Sequence, residues 1–141
     1  MKLIIILLAC LMIQGCNEGD RKFIPNGSDV KEALQELKSQ KKFIEDMALF
    51  YPGTPDDQTR IAAENIISSA LVKLIESPSD KLTEKEFWLI LKIAAKQLAK
   101  MDSEEMERGL SYIEEIMDIY KIESSDGRLN KWHYGFDPSS H

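Results

Sequence analysis

From Ser28 onward the apolar residues of this chain recur at intervals of three and four, and that spacing constrains the fold more than any other feature. An α-helix brings side chains back to one face about every 3.6 residues, so each such stripe marks an amphipathic helix. Val30, Ala33, Leu34, Leu37, Ile44, Met47 and Ala48 make the first stripe, with Lys31, Glu32, Glu36, Lys38 and Lys42 between them. Phe50-Tyr51-Pro52-Gly53 ends it, because a proline disfavours helical geometry in the residue before it. A second helix is expected from Thr54 as cap and Pro55 at the first helical position, with Asp56 and Asp57 at its positive end. Its apolar face includes Ile61, Ala62, Ile66, Ala70 and Leu74, and Ser77-Pro78-Ser79 stops it.

The third helix has the clearest start. Thr83 and Glu86 have capping-box spacing, and Leu82 and Phe87 occupy the two hydrophobic-staple positions. Phe87, Ile90, Leu91, Ala94 and Leu98 carry its stripe. A fourth begins at Asp102 and runs through Met106, Leu110, Ile113, Met117 and Tyr120. Gly109 inside it costs about 1 kcal/mol relative to alanine, a loss that close approach of a neighbouring helix would explain. No segment before residue 125 alternates with period two. The expectation is an all-α domain over residues 28–121, a four-helix antiparallel bundle-like array.

Residues 122–141 differ in kind. After the turn signal Ser124-Ser125-Asp126-Gly127, Trp132, Tyr134 and Phe136 alternate with His133 and Gly135. Each aromatic can bury roughly 150–250 Å², so the segment is expected to fold back on the bundle as an extended strap.

The N-terminus constrains location. Lys2 precedes an unbroken apolar run from Leu3 to Ile13. That run falls well short of the ~20 residues that cross a bilayer, and it fits a secretory leader with small residues at its cut site. Ile13-Gln14-Gly15-Cys16 resembles the lipobox of bacterial lipoproteins, with Gln14 where small or aliphatic residues are commoner. The resemblance implies a diacylglycerol on the Cys16 sulfur, removal of residues 1–15, and membrane attachment through the lipid. Residues 16–27, polar and broken by Pro25 and Gly27, then read as a tether.

Composition excludes several chemistries. Cys10 leaves with the leader and Cys16 is consumed by lipid, so the folded part has no thiol for a disulfide, a nucleophile or a metal. The chain carries 24 Asp and Glu against 18 Lys and Arg, and losing Lys2 takes its net charge from −6 to about −7. No basic stripe interleaved with aromatics is visible in the sequence, so nucleic acid is not an expected partner. His133 and His141 lack a supporting nucleophile motif, although Ser124, Ser125 and Ser139 are near in sequence. No Glu-x-x-His pair of a bundle metal site occurs. Glu104, Glu105, Glu107, Glu114, Glu115 and Asp118 read as a solvated face, since Leu110, Ile113 and Met117 point inward. No catalytic residue, metal or cofactor is assigned.

Two stretches remain as candidate binding surfaces: Phe50 with Tyr51, and Trp132, His133, Tyr134 with Phe136. Aromatics dominate interface hot spots, and both stretches could equally cover the ends of a bundle. The helical body, the Tyr51-Pro52-Gly53 turn and the aromatic end look like short uncharacterised domains of bacterial secreted proteins and lipoproteins. The resulting expectation is a non-catalytic, lipid-anchored envelope protein with a protein partner. An immunity or inhibitor protein against a toxin or wall hydrolase, and a carrier of small apolar ligands, are the alternatives.

Overall fold

The computed structural model describes residues 22–136. The leader, Cys16, Ser139 and His141 lie outside them. The described chain is all-α, with helices α1 (Ser28–Ser39), α2 (Asp57–Glu76), α3 (Glu84–Leu98), α4 (Ser103–Ile119) and α5 (Arg128–Tyr134). A 3-10 turn, Met47–Leu49, sits between α1 and α2. Helix α2 packs against α1, α3 and α4, and α5 against α3 and α4. The bundle-like helical architecture expected from the periodicity is therefore present.

The stripes supply the core. Ala63, Ile67, Leu71 and Leu74 of α2, Phe87, Leu91 and Leu98 of α3, and Ile113 and Ile116 of α4 are all buried. Phe87 sits edge-on to Trp88 at 5.1 Å and to Tyr120 at 4.9 Å. The α3 capping box is formed as expected: the Glu86 amide donates to Thr83 Oγ1 at 3.2 Å, and the Thr83 amide donates to Glu86 Oε2 at 2.9 Å. A Cβ placed on Gly109 would run into the side chain of Leu98, so the close helix approach invoked for that glycine is real.

The first helix is shorter than its sequence stripe. It stops at Ser39, and Ile44, Met47 and Ala48 lie beyond it. Backbone donors past that point find partners on other elements. The Lys42 amide donates to Glu64 Oε2 at 2.6 Å, and the Phe43 amide donates to the Tyr112 hydroxyl at 3.0 Å. Lys42 Nζ reaches back to the carbonyls of Lys38 at 3.2 Å and Gln40 at 2.8 Å, holding the negative end of α1. Phe43 is fully buried at a φ of +56°, which turns the chain away from the helix axis.

The second helix starts later than expected, because Asp56 and not Thr54 caps it. Asp56 Oδ1 accepts from the Thr59 amide at 2.7 Å, and those bonds hold its carboxyl below its usual pKa.

Two boundaries move at the ends of the domain. Residues 22–27, read as the end of the tether, are part of the fold. The Ile24 amide donates to the Leu82 carbonyl at 2.8 Å, the Glu84 amide donates to the Lys22 carbonyl at 2.8 Å, and Asn26 is fully buried. The expected extended strap is corrected to helix α5. Gly127 at φ +76° starts it, Gly135 at φ +79° ends it, and Leu129, Trp132 and His133 share its inward side. Helical three-and-four spacing places these three together, whereas the alternation of aromatics suggested an extended chain.

Candidate functional site

The loop between α1 and α2 carries a closed turn. Asp46 and Tyr51 exchange backbone hydrogen bonds, the Asp46 amide to the Tyr51 carbonyl at 2.8 Å and the reverse at 2.9 Å. Inside this ring the Leu49 amide donates to the Asp46 carbonyl and the Phe50 amide to the Met47 carbonyl, both at 3.2 Å. Phe50 adopts a left-handed backbone, φ +53°. A phenylalanine there is strained by about 1–2 kcal/mol, so the surrounding bonds must impose it.

Helix α4 braces the turn. Arg108 Nη2 donates to Asp46 Oδ2 at 3.3 Å, while Asp46 Oδ1 accepts from the Ala48 amide at 3.1 Å. The same guanidinium lies over the Tyr112 ring, 4.3 Å from its centroid, and Nη1 donates to Ser111 Oγ at 3.0 Å. Tyr51 points inward and is buried, its hydroxyl donating to Glu105 Oε1 at 3.2 Å. Burial first, and then the Glu105 carboxylate, push the Tyr51 pKa far up, so its hydroxyl stays a donor.

What this frame displays is apolar. Met47 is 65%, Leu49 54% and Phe50 88% exposed, with Ile44 beside them. A contiguous exposed apolar group on a rigid turn is unlike the scattered exposed residues of an ordinary surface.

The other candidate residues divide differently. Trp132 is half-buried and edge-on to Trp88 at 6.2 Å. His133 stacks on Tyr134 at 4.0 Å, with Nε2 3.8 Å from Glu107 Oε1. Tyr134 and Phe136 are exposed. Phe50 and Tyr51 thus belong to the braced turn, and the remaining four to α5 and its end. Ser124 and Ser125 are engaged at the start of α5, Ser124 Oγ with Asp126 and Ser125 Oγ with the Leu129 amide. Among the described residues, no group of three or more His, Cys, Asp or Glu is placed to hold a metal ion.

Arg108 and Tyr112 are the residues that sequence reasoning missed, and Glu105, expected on the solvated face, joins them. Their three-and-four spacing puts them on one face of α4, and a charged pair on that face was the available signal. Glu105 is buried, so the acidic run of α4 is not wholly solvated.

Glu115 departs from that run as well. Burial raises its pKa above the usual 4.5, against the opposing pull of Arg108 and Lys42. A carboxyl raised by folding contributes stability that is fully present below its unfolded pKa and lost as pH rises through the folded one. Glu115→Gln should therefore raise Tm at pH 7 by about 1–3 °C, and the gain should vanish near pH ~4. Thermal melts at the two pH values check both halves.

The chain is similar to a DUF3571 family protein from Acinetobacter baumannii, whose crystal structure superposes with a TM-score of 0.65 at 28% identity. The match covers 78% of this chain and 92% of the other. No relative was found among proteins with curated functions. The model of a domain of unknown function, DUF4844, matches residues 25–137, and so takes in Asn26, the braced turn and α5. This chain, over residues 25–137, belongs to the DUF4844 family.

Proposed function

We propose that this protein is a non-catalytic, lipid-anchored component of the bacterial envelope that binds a protein partner through the turn at residues 46–51. The observation that carries the reading is Phe50, 88% exposed in a strained conformation that Asp46 and Arg108 hold in place. Rigid apolar anchors bind at little ordering cost, which is why they dominate interfaces. The lipobox resemblance at Cys16 supports the anchor, and no helix among the described residues is long and apolar enough to cross a membrane. Between Cys16 and Lys22 the chain can span at most ~20 Å, so the domain would work close to the lipid surface.

A photo-crosslinking phenylalanine analogue at Phe50, in the full chain in living cells, tests the reading. One discrete adduct is expected, lost when Leu49→Asp is added and absent when the analogue replaces exposed Gln97. No adduct from Phe50, or the same products from both positions, would sink the partner claim. In the same cells the chain should incorporate labelled palmitate and Cys16→Ser should not; if the unaltered chain takes up no label, the anchor claim fails independently of the turn.

A further inference from the structure

A second surface, separate from the turn, lies between α3 and α5. It is an open groove of about 1340 Å³ whose walls include both tryptophans of the chain, Trp88 and Trp132. Leu89, 53% exposed, adds to its apolar floor. Six of the chain's 18 basic residues border it: Lys22, Lys85, Lys92, Lys96, Arg128 and Lys131. In a chain of net charge −6 that is a marked segregation of positive charge.

The two carboxylates of the lining, Glu84 and Glu86, offset part of this charge and leave a positive excess. Glu84 pairs with Lys22 at 3.2 Å, and Glu86 is engaged in the Thr83 capping box. Arg128 lies over the Trp88 ring at 4.5 Å and reaches Asp126 at 3.5 Å. Lys85, Lys92, Lys96 and Lys131 form no ion pair among the described residues. Trp88 Nε1 is a buried donor with no acceptor among the described residues.

These features select a ligand with two parts. Lys85, Lys92 and Lys96 run roughly 16 Å along one side of α3, which suits an elongated anion. The tryptophan and leucine floor suits an apolar body, which a free inorganic anion lacks. Polyanions such as nucleic acid would meet the acidic remainder of the surface.

We propose that the α3–α5 groove binds an anionic amphiphile, an acyl chain carrying a carboxylate or phosphate head group. The chain lies on Leu89, Trp132 and the small exposed edge of Trp88, and the head group is held by the lysines of α3 and by Lys131.

Because both tryptophans border the groove, intrinsic emission reports on it directly. The mature chain, residues 16–141 carrying Cys16→Ser and made without the leader, is purified without detergent and titrated with monomeric laurate and lauryl phosphate. A saturable blue shift is expected, weakened at least tenfold by Lys92→Gln with Lys96→Gln, two exposed positions whose folding is checked by far-UV circular dichroism. Lys131→Gln on the facing helix gives a second comparison should the double variant not fold.

An equal response to neutral lauryl alcohol would overturn the role of charge. Inorganic phosphate binding as tightly as lauryl phosphate would overturn the role of the chain. A response only to phosphatidylglycerol vesicles would make the groove a membrane-docking face and overturn the ligand site. Absence of any response would do so too.

Discussion

Asn26→Ala should lower the unfolding free energy by about 4 kcal/mol, the largest loss expected from a polar truncation in this domain. Asn26 is fully buried and joins three parts of the chain. Its Nδ2 donates to the carbonyls of Leu74 at 2.9 Å and Ser77 at 3.0 Å at the end of α2, where Leu74 otherwise accepts only from the Ser77 amide at 3.3 Å. Its Oδ1 accepts from the Tyr120 hydroxyl at 2.8 Å, at the end of α4. Burial pushes the Tyr120 pKa up, so the hydroxyl remains a donor in need of an acceptor.

Alanine would strand the Tyr120 hydroxyl and the Ser77 carbonyl, each at about 1–3 kcal/mol, with Ser77 the cheaper because water can reach it, and would leave the Leu74 carbonyl with only the 3.3 Å bond from the Ser77 amide. Urea denaturation is the measurement, and the midpoint should fall with little change in slope. Tyr120→Phe alone should cost less, and the double variant should lose less than the sum, since the two residues share one bond. A loss below about 1 kcal/mol for Asn26→Ala would show that residues 22–27 hang loosely on the domain.

Gly109→Val comes second, at about 3 kcal/mol. The Leu98 side chain occupies the space a Cβ would need, and Leu98 is itself fully buried, so it has little room to yield. Gly109→Ala should fall between, because alanine gains about 1 kcal/mol of helix propensity against the overlap. Shortening the neighbour supplies the control. Leu98→Ala combined with Gly109→Ala should be less destabilising than the two single losses added, as read from thermal melts. Strict additivity would mean that the two helices do not meet there.

Both residues show where legibility in the sequence ended. Gly109 could be flagged from one chain because a glycine inside a strong helical stripe has a known cost. Its partner Leu98 could not, since nothing local says which helix comes close. Asn26 carried no flag at all. Asn26-Gly27-Ser28 has the composition of an ordinary turn, and only the ends of α2 and α4, 48 and 94 residues away, make it a latch. Of the six aromatic and histidine positions singled out as a candidate surface, Phe50, Tyr134 and Phe136 are exposed. Tyr51 faces inward to Glu105, Trp132 is held by Trp88, and His133 is half-buried under Tyr134.

The existence of α1 to α4, the α3 cap, the apolar stripes and the all-α class were determined by the sequence itself, whereas α5 was not. Each rests on contacts between residues three or four apart, which any single helix contains. The early end of α1, the strained turn at Phe50, the absorption of residues 22–27 and the cationic groove depend on groups far apart in sequence. Glu64 and Tyr112 take the amides that would have continued the first helix, and Arg108 fixes Asp46. The groove was invisible for the same reason. Lys85, Lys92 and Lys96 look like the solvated side of a helix until α5 brings Lys131 and Trp132 opposite them.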